Sequence, residues 1–94
     1  MGLTFEWDQN KGEANLKKHG VSFEEASEVF NDPLAASIID TTHSTGERRF
    51  IIIGRSIKGR VVLVVYNEWG ENIRIISARL ATRQEIRIYE ETKA

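Results

Sequence analysis

Residues 48–80 read RRFIIIGRSIKGRVVLVVYNEWGENIRIISARL, and the fold of the chain can be predicted outward from this stretch. It is rich in isoleucine and valine, which favour strands. We interpret it as three strands, Arg48–Ser56, Arg60–Trp69 and Ile73–Leu80. The connections Ile57-Lys58-Gly59 and Gly70-Glu71-Asn72 each offer a glycine for the positive φ that a tight hairpin often needs. The stretch therefore predicts an antiparallel meander.

The segments before this stretch add two more candidate strands and a helix. Leu34–Asp40 has the composition of a strand and is expected to belong to the same antiparallel meander, and Phe5–Trp7 fits a short first strand. Between them, Asp8 is a suitable N-cap for a helix from Gln9 to His19 that ends at Gly20.

A capping box predicts a second helix. In Ser22-Phe23-Glu24-Glu25 the Ser hydroxyl and the Glu25 carboxylate are expected to satisfy each other's backbone N–H groups. Asn31-Asp32-Pro33 ends this helix. Its glutamates are expected to face away from the core, because the apolar residues form one stripe at helical spacing, namely Phe23, Ala26 and Phe30.

A second capping box, Thr82-Arg83-Gln84-Glu85, predicts a terminal helix that runs to about Glu91. The order of elements indicates an α+β fold, an antiparallel sheet of four or five strands with two N-terminal helices and one C-terminal helix. A length of 94 residues predicts a single domain over residues 1–94.

Composition excludes several classes of function. With 40% hydrophobic and 29% charged residues, the chain has the composition of an ordinary soluble globular protein. It contains no cysteine, which excludes disulfides, thiolate nucleophiles and thiolate metal sites. No secretory signal is visible at the N-terminus, and no apolar run approaches the roughly 20 residues that cross a bilayer. We therefore expect a cytoplasmic protein.

The net charge of -1 conceals a difference between the two halves of the chain. Residues 1–46 hold three basic and eight acidic residues, a balance of 3 - 8 = -5, whereas residues 47–94 hold ten basic and six acidic residues, 10 - 6 = +4. Most of the basic residues in the second half are arginine, which suits bidentate contact with phosphate. A basic face is one interpretation, and a mixed solvated surface is the other.

Alternation along the strands places Arg60 on the face of Val62, and Arg79 on the face shared by Ile73, Ile75 and Ser77. An arginine at a strand end beside apolar neighbours can point into a cleft. The alternative is that both arginines extend to water.

No local pattern matches a strong catalytic template, because a phosphate-binding glycine loop, a zinc-binding histidine pair and a serine nucleophile elbow are all missing from the sequence. His19 and His43 are the side chains with a reference pKa near neutrality. Each is more often an exposed histidine than a general base.

The chain nevertheless resembles the BrnT family of toxins, in matches that run in order from about residue 5 to residue 90. They comprise Phe5-Glu6-Trp7-Asp8, Lys11, Asn15, Lys18–Ala26, Glu47–Phe50, Ile53-Gly54, Gly59-Arg60, Ile73–Arg79 and Ala81–Tyr89. The resemblance implies a RelE-like ribonuclease fold. It also implies a partner, a ribbon-helix-helix antitoxin of the BrnA type that neutralises the toxin and binds operator DNA, so that operator DNA is reached only through the antitoxin.

If the family's activity is present, an RNA 2′-hydroxyl attacks the adjacent phosphate, and the protein supplies a base, an acid and cations, without a metal or other cofactor. Matching motif positions to this chemistry assigns His19 or Glu47 to proton transfer, and Arg60 and Arg79 to stabilisation of the phosphate. Further RNA contacts are expected from Lys18, Arg48 and Tyr89.

Each assignment has a structural alternative. Glu47 can pair with Arg48 or Arg49, Lys18 can be solvated, and Tyr89 can pack in the core. A second class of function also stays open, a catalytically inactive partner that adjusts repression by a DNA-binding antitoxin. A third, a stand-alone RNA-binding domain, lacks the aromatic stacking motif of common single-strand readers.

Overall fold

The structure is a computed structural model that describes residues 3–40 and 48–91, with Trp69 described by its backbone only. Its elements, in chain order, are β1 Thr4–Glu6, α1 Gln9–His19, α2 Phe23–Glu28 followed by a 3₁₀ turn Val29–Asn31, β2 Ala36–Asp40, β3 Arg49–Arg55, β4 Val61–Trp69, β5 Asn72–Leu80 and α3 Arg83–Glu91.

The described strands form a five-stranded sheet in the order β1-β5-β4-β3-β2. Strands β2 to β5 form the predicted antiparallel meander, and the β3–β4 and β4–β5 turns place Gly59 at φ 81° and Gly70 at φ 63°. The predicted α+β arrangement is confirmed. The sheet is mixed, however, because β1 pairs in parallel with β5 at the edge opposite β2. Local periodicity carries no information about this pairing, since its partners lie 68 residues apart.

The core lies between one face of the sheet and α1, α2 and the 3₁₀ turn. Phe23, Ala26 and Val29 from this helical layer pack with Val62 and Val64 of the central strand. The apolar stripe predicted for the second helix is confirmed, since Phe23 and Ala26 are fully buried. The opposite face of the sheet is only partly covered, by α3.

A β-bulge in β5 changes which side chains share a face. Val65 pairs with Ser77 and Tyr66 pairs with Ile75, so that Ile76 is an extra residue in the ladder. Ile73 and Ile75 are consequently buried in the same core as Ala78, whereas Arg79 lies on the opposite face. The expectation that Ile73, Ile75, Ser77 and Arg79 share one face is wrong, because one added residue inverts the alternation beyond it.

The two capping boxes differ in the structure. In α3 both bonds form, since Thr82 N donates to Glu85 Oε1 over 2.8 Å and Glu85 N donates to Thr82 Oγ1 over 3.2 Å. In α2 only the Ser22 half forms, with Glu25 N donating to Ser22 Oγ over 3.0 Å. The predicted return bond from the Glu25 carboxylate is wrong, because that carboxylate is buried and binds elsewhere.

Two kinds of feature are missing from residues 3–40 and 48–91. The longest helix there, α1, has 11 residues, so none of these helices could cross a bilayer. In the same ranges, three or more His, Asp or Glu side chains are nowhere grouped as metal ligands would be.

Candidate functional site: two ion-paired arginines at one end of the sheet

Arg60 lies immediately before β4 and is bound to Glu25 of α2. Its Nε donates to Glu25 Oε2 over 2.9 Å, and its Nη2 donates to Glu25 Oε1 and, over 2.9 Å, to the carbonyl oxygen of Gly20. Ser56 Oγ donates to the same carboxylate over 2.7 Å. The hydrogen bonds from Arg60 hold the pKa of Glu25 below its ordinary value although burial opposes this. Glu25 is therefore a buried carboxylate that holds the Arg60 guanidinium in one orientation.

The bond from Arg60 to Gly20 brings this arginine to the C-terminal end of α1. His19 is the last residue of α1 and is half-buried, and Lys18 beside it is exposed. Three of the residues singled out in the sequence thus occur together at one end of the sheet, although Arg60 has no bond to either His19 or Lys18.

Arg79 is bound by a different helix on the other side of the sheet. Its Nη1 and Nη2 donate to the two carboxylate oxygens of Glu85 over 2.9 and 3.0 Å, and Nη1 also donates to the carbonyl oxygen of Leu80 over 3.3 Å. The hydrogen bonds from Arg79 lower the pKa of Glu85 to about 2, with further help from Thr82. The Nε–H of Arg79 and one Nη2–H bind nothing in the described part of the chain, and the side chain is 41% exposed. This second edge of the guanidinium is available to a ligand.

The two arginines lie on neighbouring strand ends but in different layers. Val62 pairs with Leu80, and Ala81 N donates to Val61 O over 2.9 Å, so the backbones are adjacent. Arg60 extends to α2, whereas Arg79 extends to α3. Arg60 also lines a cleft of about 310 Å³ between the sheet end and α3, and Arg79 is not among the residues that line it. The two guanidinium groups therefore do not share one cleft.

The structure separates Arg48 from these residues. Arg48 is exposed and precedes β3, whose other end, Arg55, lies beside the start of β4. Seven residues of extended chain span about 20 Å, which places Arg48 at the far end of the sheet from Arg60. Glu47 and His43 lie outside the described residues.

Tyr89 is a packing residue in this structure. It is 1% exposed, and its hydroxyl donates to Asp32 Oδ2, which also accepts a bond from Arg55 N over 2.8 Å. Burial raises the pKa of the hydroxyl. The guanidinium of Arg55 lies 5.7 Å from the centre of the ring. Tyr89 thereby attaches α3 to β3 and to the loop before β2, and its burial favours the packing alternative over contact with RNA.

Sequence reasoning missed the roles of Glu25, Ser56 and Glu85 in holding the two arginines. Both glutamates were assigned to capping, because each stands three residues after an N-cap. Glu25 and Arg60 are 35 residues apart, and no local spacing pattern indicates such a pair. The additional role of Glu85 depends on α3 folding back toward the end of β5.

The depressed pKa of Glu85 predicts a pH effect on stability. A carboxylate whose pKa is lowered on folding contributes stability that is complete above its ordinary pKa of 4.5 and is lost as the pH falls toward 2. The free energy of unfolding of Glu85→Gln should therefore depend less on pH than that of the unchanged chain over this window. Urea unfolding at several pH values measures this, with the exposed Glu90→Gln as control. A difference between Glu85→Gln and the unchanged chain that stays constant across the window would contradict the prediction.

Comparison with known proteins assigns the family. Residues 7–85 match the family model described as ribonuclease toxin, BrnT, of type II toxin-antitoxin system. The crystal structure of the Brucella abortus ribonuclease toxin BrnT is similar to this chain, with a TM-score of 0.64 and 21% identity, over 87% of this chain and 100% of that one. Among curated proteins no sequence matches. Since the family model covers most of its length, the chain belongs to the BrnT family of ribonuclease toxins of type II toxin-antitoxin systems.

Proposed function

We propose that this chain, as a single unit over residues 1–94, is a cytoplasmic endoribonuclease that cleaves RNA without a metal, through attack of a 2′-hydroxyl on the adjacent phosphate. The observation that carries the proposal is the unoccupied edge of Arg79. Glu85 holds one edge of the guanidinium, while Nε–H and one Nη2–H remain to donate to two phosphate oxygens. A preoriented bidentate donor of this kind stabilises the charge that builds on phosphorus.

The reaction is a transesterification. The 2′-oxygen forms a bond to phosphorus and gives its proton to a base, and the bond from phosphorus to the 5′-oxygen breaks as an acid protonates the leaving oxygen. The products are a 2′,3′-cyclic phosphate and a 5′-hydroxyl. Arg79 binds the phosphate in this scheme, and Arg60, which extends to the α2 side of the sheet, supplies a cation for a neighbouring part of the RNA.

Proton transfer is assigned to His19 or Glu47. His19 lies beside the Gly20 carbonyl that binds Arg60, and an imidazole is the side chain that most often transfers protons in catalysis. Neither Glu25 nor Glu85 suits this role, because arginine binds each carboxylate and lowers its pKa. Lys18 is exposed at the end of α1, where it can contact the RNA backbone. Arg48 can contact only a part of the RNA that extends to the far end of the sheet.

The partner in this proposal is a ribbon-helix-helix antitoxin of the BrnA type, which binds the operator DNA. Membership of a type II system implies a protein antitoxin. A catalytically inactive chain that only adjusts repression by the antitoxin is the competing function, and the cleavage assay distinguishes the two.

The test is cleavage of a defined RNA by the purified chain in the presence of EDTA. We expect undiminished cleavage and products that end in a cyclic phosphate and a 5′-hydroxyl. An Arg79→Ala preparation purified in the same way controls for contaminating nucleases. A strict requirement for a divalent metal would overturn the mechanism, and no cleavage under any condition would favour the inactive binding partner.

A further inference from the structure

An apolar groove lies on the face of the sheet that α1 and α2 leave uncovered. Its volume is about 320 Å³, and its walls come from β2, β3, β4 and α3: Ala36, Ile38, Ile51, Ile53, Leu63, Glu85 and Ile88. Ile38 is 64% exposed and Ile88 is 53% exposed. Apolar side chains on a surface are ordinary when they are scattered singly, but several around one groove are typical of a binding surface.

Among the described residues, nothing gives the strand on the outer side of the groove the usual protection of a sheet edge. β2 is the last strand in the order, and Ala36 to Ile39 are exposed and uncharged. Natural proteins usually protect edge strands with lysine, proline or a covering segment. An edge of this composition beside an apolar groove is therefore suited to being covered by a partner.

The charged residues at one end of the groove indicate which chemical group the partner carries there. Glu85 is the one charged residue among those that line the groove, and both of its oxygens are bound by Arg79. Among the described residues at this end, the free edge of Arg79 is an unsatisfied hydrogen-bond donor. An acidic side chain, or a C-terminal carboxylate, complements it.

We infer that the groove is the docking site of the antitoxin, and that the occupant is an apolar segment that carries a carboxylate at the end that reaches Arg79. A protein that binds here covers the edge of Arg79 that is assigned above to the phosphate, so the antitoxin neutralises the chain by blocking access of RNA to Arg79. This mode of neutralisation rests on the proposed function. The docking itself depends only on the groove and on membership of a type II system.

The test compares three isoleucine-to-lysine variants of the full chain. Ile38→Lys and Ile88→Lys place a charge at the groove, and Ile57→Lys is the matched control, because Ile57 is 83% exposed in the β3–β4 turn and does not line the groove. The probe is the antitoxin encoded in the same operon. Its dissociation constant for each folded variant is measured by calorimetry, without RNA, so that the result does not depend on whether the chain cleaves RNA.

We expect Ile38→Lys and Ile88→Lys to weaken antitoxin binding at least about 100-fold, since burying a lysine at an apolar interface is costly, and Ile57→Lys to bind like the unchanged chain. Hydrogen exchange should show protection of β2, β3 and α3 in the complex. Equal affinity of all three variants, or protection confined to α1 and α2, would overturn the inference. It would also be overturned if Ile38→Lys abolished self-association of the free chain while antitoxin binding stayed the same, because the occupant would then be a second copy.

Discussion

Arg79→Ala is expected to reduce RNA cleavage by about 100- to 1,000-fold, the usual effect of removing one preorganised group that stabilises transition-state charge. The truncation removes both free N–H donors from the position proposed for the phosphate. It leaves Glu85 able to cap α3 through Thr82, so the helix should persist. The measurement is the single-turnover rate on a defined RNA, with circular dichroism to confirm that the variant is folded.

Three companion variants separate the role of Arg79 from simple loss of charge. Arg79→Lys keeps a cation but cannot bind Glu85 and a phosphate with two separate edges, so most of the rate should still be lost. Glu85→Gln weakens the hydrogen bonds that orient the Arg79 guanidinium, and it should reduce the cleavage rate less than Arg79→Ala does. Arg87→Ala removes the same charge from an exposed position on α3 and should cleave normally. Full activity of a folded Arg79→Ala chain would remove this residue from the site.

Gly54→Ala is expected to destabilise the fold by about 1–3 kcal/mol, the usual cost of overpacking a core. A Cβ atom on Gly54 would lie 2.8 Å from Cγ1 of Val29 and 2.9 Å from Cβ of Ala35. Val29 is fully buried in the layer that covers the sheet, so it has little room to move. For a domain of this size, each kcal/mol lowers the melting temperature by roughly 4–8 °C.

Gly12→Ala is the matched control for this prediction. A Cβ atom there would meet Phe23 and Trp7 at 3.5 Å, an ordinary contact distance, in the interior of α1. Alanine is favoured over glycine in a helix by roughly 0.5–1 kcal/mol, so this variant should melt at the same temperature or higher. Thermal unfolding of both variants tests the pair. Equal melting temperatures of Gly54→Ala and the unchanged chain would contradict the close packing at Gly54.

The candidate site was only half predictable from the sequence. Arg60 and Arg79 were singled out by resemblance to a family, and the structure places both near one end of the sheet. Their partners were not predicted, because Glu25 and Glu85 are both at the third helical position after an N-cap hydroxyl, where a local interpretation is available for each. Tyr89 was assigned to RNA, yet the end of α3 packs on Asp32 and Arg55 and buries the ring.

Features that depend on residues close together in the chain can be predicted from the sequence alone. The helix starts at Asp8, Ser22 and Thr82 follow from hydroxyl or carboxylate caps, and the four main strands follow from their β-branched residues and the turns between them. These depend on local backbone preferences, which neighbouring residues set regardless of the rest of the chain.

Contacts between residues far apart in the chain depend on the tertiary structure. Packing in three dimensions placed β1 parallel to β5, added the bulge at Ile76 that put Arg79 on the face opposite Ile75, and gave the buried Glu25 an arginine instead of its own helix N-terminus. The physical reason is that a buried charge needs a charged partner more than an exposed backbone N–H needs a cap. Such a partner can come from anywhere in the chain once the fold has brought it near.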